Sequence, residues 1–317
     1  MRRPLSVALL AATVAIGAGL AMLTPAGAEP VFPLGSRVGL EPPGNLVVSR
    51  RFSGFEDLDR KVAVVILDLP AGAYEDIERS AFANALPGLS DVKRQSFAFA
   101  SGFGFLVDGQ ASPDGVVLHK TFLLATTPGF DLKNITVLVN VEVPDAARAV
   151  YSDAVIRKML ASVTLRPTPV QEQLGLLPFK VNEFAGLRVV QTLAEGGVIL
   201  TAGPTDNINA QPYMLITVGP GAPSEPGDRE KFVRDMLATA PMRDLTVTVA
   251  DPMRIGGVPG FELRAQATGL DGAALNLVQW VRFGSGGFLR IIGVSRREEW
   301  DTFFTRFRAV RDGIEMR

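Results

Sequence analysis

The chain has 317 residues, with 32 basic and 33 acidic side chains, a single histidine and no cysteine. This charge balance argues against general nucleic-acid binding, which needs a concentrated basic face. The lack of cysteine excludes disulfides, thiolate metal sites and cysteine nucleophiles. The protein must therefore be stabilised by ordinary hydrophobic cores.

Residues 1–28 have the pattern of a secretory signal peptide. Arg2 and Arg3 precede an apolar stretch from Leu5 to Leu23. Ala26 and Ala28 then provide the small residues that signal peptidase accepts, so we predict cleavage after Ala28 and export to a bacterial periplasm. The alternative is an uncleaved anchor, because about 20 apolar residues span a bilayer. The many alanines and glycines of the stretch favour cleavage.

The rest of the chain contains one module twice. We predict a first module over residues 31–166, a proline-containing linker over 167–178, and a second module over 179–317. The clearest match is between two short blocks. In the first module Gln110-Ala111-Ser112 is followed by Asp114-Gly115, and in the second Gln266-Ala267-Thr268 is followed by Asp271-Gly272.

In the first module, short apolar runs between Gly, Pro, Asp and Asn predict strands. These runs are 37–40, 46–52, 62–67, 92–100, 104–110, 116–125 and 135–143. Two amphipathic segments predict helices over 73–86 and 146–162. Ile156, Met159 and Leu160 lie on the apolar side of the second helix, so they are expected to be buried.

The second module repeats this order. Strands are predicted over 188–193, 198–202, 213–218, 245–249, 260–267, 274–283 and 288–295, with helices over 228–239 and 298–311. In the last helix Trp300, Phe303, Phe304 and Phe307 recur at helical spacing. This stripe predicts core packing, while Arg311 is expected on the other side of the helix. Within the linker, residues 171–177 are expected to form one turn of helix.

Short turns between successive strands predict the α+β class, with two tandem modules, each an antiparallel β-sheet covered on one face by helices. The order of elements resembles the PsbP/Mog1-like fold, including the DcrB-like periplasmic proteins. The residues that support the resemblance are Gly54-Phe55-Glu56, Leu69-Pro70-Ala71 and the two Asp-Gly turns. That family shares no catalytic motif, so the resemblance implies a binding, assembly or accessory role.

No sequence pattern identifies a catalytic, cofactor-binding or metal site, and no cofactor is expected. His119 is the only histidine and lies in a predicted strand, where a half-exposed structural residue is the favoured interpretation. Ser285 lies in a glycine-rich hairpin turn rather than a nucleophile elbow. Asp57 and Asp59 lack the spacing of a calcium loop.

These observations predict a non-catalytic binding or accessory protein of the cell envelope, with a protein or envelope partner and no nucleic acid. The cleft between the modules is the expected place for a small ligand, because domain boundaries favour concave sites. Two alternatives stay open. One is a hydrolase or other enzyme that uses carboxylates and His119. The other is a lipid-binding protein of the membrane surface.

Overall fold

The computed structural model describes residues 29–79, 88–128, 134–193 and 196–317. Within these residues the chain forms two antiparallel sheets of seven strands, one in each half, and two small two-stranded sheets. The predicted fold class, α+β with two tandem modules, is confirmed. No helix in the described ranges has the length and apolar composition needed to cross a membrane.

The first module contains nine strands and two α-helices among its described residues. The strands are β1 (Val38–Gly39), β2 (Val47–Val48), β3 (Gly54–Asp57), β4 (Val62–Pro70), β5 (Ser90–Phe99), β6 (Gly102–Ala111), β7 (Leu118–Pro128), β8 (Asn134–Pro144) and β9 (Thr164–Leu165). The helices are α1 (Ala73–Ile77) and α2 (Asp153–Ala161).

A helix in the linker, α3 (Val170–Leu176), precedes the second module. The strands of that module are β10 (Phe179–Val181), β11 (Arg188–Leu193), β12 (Gly197–Thr201), β13 (Tyr213–Pro220), β14 (Arg243–Ile255), β15 (Val258–Thr268), β16 (Ala274–Phe283), β17 (Gly287–Arg296) and β18 (Ile314–Met316). Its helices are α4 (Arg229–Ala238) and α5 (Trp300–Asp312).

The two large sheets have the same topology. The strand orders are β2-β3-β4-β8-β7-β6-β5 and β11-β12-β13-β17-β16-β15-β14. In each module the first and last strands pair apart from the large sheet, as β1 with β9 and β10 with β18. Identical strand order along two halves of one chain establishes the internal duplication.

The matched sequence blocks occupy the same position in both sheets. Gln110 on β6 pairs with His119 on β7, and Gln266 on β15 pairs with Asn276 on β16. Gly104 and Gly260 each precede these glutamines by six residues, and each lies so close to a neighbouring backbone carbonyl that a Cβ atom would come within 3.0 Å of it. The repeated glycine is therefore explained by close backbone approach.

The core of the first module lies between its sheet and α2. Ile156, Met159 and Leu160 are buried in one cluster with residues of β4, β6, β7 and β8, as predicted. The helix begins at Asp153, because the Ser152 side chain accepts a hydrogen bond from the backbone N–H of Val155.

In the second module, helices cover both faces of the sheet. Phe303 and Phe307 of α5 pack in a cluster with Trp280, whereas Val233 and Leu237 of α4 pack in a cluster on the opposite face. Successive residues of a strand point to opposite faces. The continuous apolar run of β16 therefore requires a helix on each face of the sheet. The sequence-based prediction had placed helices on one face.

Several predicted elements differ from the structure, among them the strand 245–249, which extends over Arg243–Ile255. The predicted strand 46–52 is limited to Val47–Val48, and the unpredicted Gly54–Asp57 pairs with β4 instead. The predicted helix 146–162 begins only at Asp153, after a short 3-10 turn. The predicted helix 73–86 is seen as α1, and residues 80–87 lie outside the described part of the chain.

Candidate functional site

The linker forms a helix where two prolines delimit it. Pro169 precedes α3, and Leu177, just before Pro178, has an extended conformation with ψ of 147°. The residue before a proline avoids the helical region, so the helix ends at Leu176. Glu172 in its first turn complements the helix dipole. The helix has two turns where the sequence predicted one.

The start of α3 is fixed to the first module. The Arg166 guanidinium forms an ion pair with Glu172 at 2.6 Å, and the backbone N–H of Gly35 donates to the same carboxylate at 2.9 Å. These contacts lower the pKa of Glu172, the hydrogen bond from Arg166 being the largest cause. The linker helix is therefore held to module one by a charged contact as well as by the chain.

Gln173 connects the two modules through its side chain. Its amide Nε2 donates to the carbonyl of Gly35 at 3.0 Å, and its Oε1 accepts from the Thr192 hydroxyl at 3.0 Å. At the other end of the helix, Arg317 donates to the carbonyl oxygens of Gly175 and Leu177. Both modules thus contact α3 through specific hydrogen bonds.

A cleft of about 260 Å³ lies at this junction. Its described lining residues are Leu34, Gly35, Ser36, Ser53, Asp68, Gln173, Leu176, Leu177, Thr192, Leu193 and Gly196. Leu34 is 59% exposed and Leu176 is 57% exposed. The inter-module cleft expected from the sequence is therefore present, with a mixed polar and apolar wall and two exposed leucines.

His119 is placed away from this cleft and has both ring nitrogens occupied. Its Nε2 is 2.9 Å from Asp145 Oδ1, and its Nδ1 is 3.0 Å from an Arg148 nitrogen that can only donate. This arrangement fixes the tautomer with the proton on Nε2, so neither nitrogen is available as a base or ligand. The described residues contain no group of three or more His, Asp or Glu side chains suited to hold a metal.

The two loop carboxylates tested in the sequence have different surroundings. Asp57 is buried and accepts a 2.7 Å hydrogen bond from the Tyr151 hydroxyl, while Arg60 pairs with it at 3.2 Å. The Tyr151 hydrogen bond is the main cause that lowers the pKa of Asp57, and burial raises the pKa of Tyr151 to about 12. Asp59 does not join this group of contacts. The cluster fixes the end of β3 against the segment before α2.

The aromatic stripe of α5 belongs to the core, as predicted. Phe307 is fully buried, and Trp300 and Phe304 stack with ring centroids 5.1 Å apart. Ser285 lies in the turn between β16 and β17, also as predicted.

A buried charged cluster beneath α5 was missed by the sequence analysis. Glu262 accepts a hydrogen bond from the Trp280 indole N–H at 2.6 Å and forms an ion pair with Arg264 at 2.6 Å. The buried Arg311 lies 3.9 Å from Glu262 and above the Trp280 ring. The expectation that Arg311 faces solvent is thus wrong, because its guanidinium lies between an indole face and a carboxylate. The position of Arg311 in the helical pattern did not predict that its side chain is buried.

No protein-family profile matches the chain, and no curated protein matches it. Solved structures match one module or both. LpqN of Mycobacterium tuberculosis, involved in cell envelope biogenesis, has 13% identity and a TM-score of 0.35, covering 44% of this chain and 82% of that chain. PsbP (CyanoP) of Synechocystis sp. PCC 6803 has 15% identity and a TM-score of 0.29, covering 42% of this chain and 94% of that chain.

A third match spans both modules. The immunity protein TplEi of T6SS from Pseudomonas aeruginosa has 12% identity and a TM-score of 0.30, covering 91% of this chain and 97% of that chain. Likeness at this level concerns the fold alone, and we take no activity, ligand or partner from it. A PsbP protein, of the kind that the sequence resembles, is thus among the solved structures that match one module.

Proposed function

We propose that the protein is a non-catalytic periplasmic binding or accessory protein of the cell envelope, which contacts a protein partner through the inter-module cleft. The observation that carries this proposal is the pair of exposed leucines, Leu34 and Leu176, on the wall of the cleft. Apolar side chains that become buried against a partner serve as anchors of an interface, because their burial removes apolar area from water. Large apolar side chains that lie exposed in a concave site are suited to become such anchors.

The contacts of α3 support a cleft of defined shape. Gln173 bonds to Gly35 of module one and to Thr192 of module two, so the two walls are tied to one helix. A pre-organised site loses less conformational entropy when a partner binds. The export signal predicted over residues 1–28 supports placing this partner in the cell envelope.

The arrangement around His119 supports a non-catalytic function. Asp145 and Arg148 occupy its two nitrogens, and His119 does not line the cleft. A histidine that acts as a general base needs a free ring nitrogen within reach of the substrate proton. The hydrolase alternative would therefore depend on Asp68, the acidic residue among the described lining of the cleft, which is paired with Arg37 at 2.7 Å.

Site-specific photo-crosslinking tests the proposal. A photoreactive amino acid at Leu176, in the cleft, is compared in cells with one at Leu58, which is 66% exposed on a loop of module one. We expect a discrete cross-linked partner, identified by mass spectrometry, from position 176 and none from position 58.

A second measurement uses the purified protein and the partner so identified. We expect Leu176→Glu to weaken binding about tenfold or more, since a charge in an apolar contact is costly, while Leu58→Glu leaves binding unchanged. Equal cross-linking from both positions, or equal binding by both variants, would contradict the proposal.

A further inference from the structure

A second concave site lies in module two, at the end of its sheet. It is an open groove of about 510 Å³. Its apolar wall includes Val218, Val258, Leu289 and Met316. Cavities of about 300–1,000 Å³ with apolar walls and a few polar groups are typical of small-molecule sites. The groove is distinct from the inter-module cleft, because no residue is shared between their linings.

Among the described residues that line this groove, one is charged, and it has no partner in the described part of the chain. Arg282 is half-buried, yet it makes no hydrogen bond, ion pair or ring contact with any residue that the structure describes. The other half-buried arginines in the described ranges all have such a contact. Because every other half-buried arginine in the described ranges has a partner, the unpaired guanidinium of Arg282 in an apolar wall points to an anion from outside the chain.

The equivalent place in module one shows what has changed. Strand pairing places Ala125, Val137 and Asp68 side by side there, where module two has Arg282, Leu289 and Val218. In module one Asp68 forms an ion pair with Arg37 at 2.7 Å. The first module therefore contains both a cation and an anion at this end of its sheet.

In module two Arg282 lies at this end of the sheet without an acidic partner among the described residues. Pro178 precedes β10 as Arg37 precedes β1, and Val218 occupies the place of Asp68. The internal pair is thus replaced by two apolar residues, while Arg282 takes the place of a buried alanine. None of the described residues that line the groove is acidic.

A second polar group lies at the rim near Arg282. Ser285 is exposed in the turn that joins β16 to β17, and its hydroxyl makes no hydrogen bond with a described residue. A guanidinium and a hydroxyl at one end of an apolar groove match a carboxylate head group that carries an alkyl chain. We propose that this groove of module two binds a free single-chain amphiphile with a carboxylate head, of the fatty-acid class, with Arg282 on the carboxylate.

This inference goes beyond the proposed function, since it concerns a small ligand and a different site. Fluorescence titration of purified protein with 11-(dansylamino)undecanoic acid tests it, below the concentration at which the probe forms micelles. We expect saturable binding that dodecanoate displaces, with dodecanol a weaker competitor by about tenfold because a charge-assisted contact is lost.

Variants at Arg282 distinguish its charge from its packing. Arg282→Met keeps an apolar stem and should weaken probe binding about tenfold, whereas Arg282→Lys should retain most of it. Arg50→Ala, at an exposed arginine of module one, is the matched control and should bind as wild type. Val258→Trp fills the groove without touching the charge and should also reduce binding, with melting curves recorded for every variant.

Three results would overturn the proposal. The first is an absence of saturable probe binding by the folded wild-type protein. The second is equal probe binding by Arg282→Met and Arg50→Ala. The third is binding to membranes in place of free amphiphile: the protein floats with phosphatidylcholine–phosphatidylglycerol vesicles but does not bind the monomeric probe. Partner cross-linking at Leu176 is unaffected by each of these results, so the two proposals stand or fall separately.

Discussion

The two modules share one topology but differ in what they bury beneath the last helix. In module one Leu106, Leu123 and Leu160 are buried at neighbouring positions of β6, β7 and α2. Strand pairing and the common helix end place Glu262, Trp280 and Arg311 at the same positions of module two. An apolar trio in one copy corresponds to a charged and aromatic trio in the other.

The comparison shows that the fold does not depend on the chemistry at these positions. A buried ion pair adds little net stability, because the cost of desolvating the two charges offsets much of their Coulomb attraction. The desolvation cost of burying the Glu262 carboxylate is offset by hydrogen bonds from Trp280 and Arg264 and by the ion pair with Arg311. The two modules thus satisfy the same packing requirement, one with hydrocarbon and the other with a connected polar network.

The largest expected effect comes from Phe307→Ala, which tests whether the modules unfold separately. Phe307 is fully buried and its ring lies over Gly293, where a Cβ atom would come within 3.0 Å of it. Deleting a buried phenylalanine costs about 3–5 kcal/mol, a large part of a domain's stability. We expect hydrogen exchange to lose protection over residues 179–317 and to keep it over 31–166.

The outcome decides whether the duplication is also a duplication of folding units. Simultaneous loss of protection in both ranges would mean that the chain unfolds as one domain. Phe304→Ala should have a smaller effect, because Phe304 is only partly buried against the same core.

The next largest effect concerns the charged trio. Arg311→Leu installs the residue of module one and leaves Glu262 with one fewer partner, so we expect a loss of about 1–3 kcal/mol in the unfolding free energy of module two. In a Glu262→Gln background the same change should cost less, because the neutral amide still accepts from Trp280.

Chemical denaturation of the four proteins in this cycle measures the coupling. Arg308→Leu, at an exposed arginine of the same helix, is the control and should stay within about 0.5 kcal/mol of wild type. An Arg311→Leu cost that is the same in both backgrounds would show that the ion pair contributes nothing specific.

Much of the fold was predictable from the sequence because local patterns carried it. The central strands, α5 and its buried Phe307 follow from apolar periodicity. Strand β3 was missed because Phe55 is its one large apolar residue, so it lacks the apolar run that marks a strand, although it forms a hairpin with β4. The start of α2 was misplaced because residues 145–147 form a 3-10 turn and Ser152 caps the helix, features that apolar periodicity does not encode.

The site was predictable only as a location. A linker between two modules indicates a cleft, but the bridge made by Gln173 depends on where Gly35 and Thr192 come together. The same holds for Arg311, which the helical pattern assigns to the solvent side, and for its contact with Glu262 on β15. Charge pairing between distant elements has no signature in a single sequence.

A smaller effect concerns acid stability, which should differ between the modules. The pKa of Asp57 is lower in the folded protein, mainly because of the Tyr151 hydroxyl, so its contribution is present above the unfolded pKa of about 3.9 and is lost as pH falls through the folded value. Tyr151→Phe should therefore destabilise module one at pH 7 and converge with wild type at low pH.

Urea unfolding at pH 7, 4 and 3, followed by exchange in each module, measures this difference. Tyr213→Phe in module two is the control, because the Tyr213 hydroxyl makes no hydrogen bond with a described residue and burial raises its pKa. A Tyr151→Phe deficit of the same size at every pH would show that Asp57 is not the partner that matters.

The smallest effect is expected at His119, whose equivalent in module two is Asn276. The side chain of His119 is 18% exposed and serves to join β7 to Asp145 and Arg148. Contacts of this kind near the surface contribute about 0–1 kcal/mol, so His119→Asn and His119→Ala should each shift the melting temperature only slightly.

Both variants should also restore a deletion strain to wild-type growth, because neither ring nitrogen is free for chemistry. Arg148→Ala removes the same contact from the other side together with the ion pair to Asp153 at 2.8 Å, so it should give a small shift that is at least as large. Loss of complementation by His119→Ala, with normal expression and an unchanged melting curve, would contradict this account. Such a result would restore the enzyme alternative and show that the two modules differ in chemistry as well as in packing.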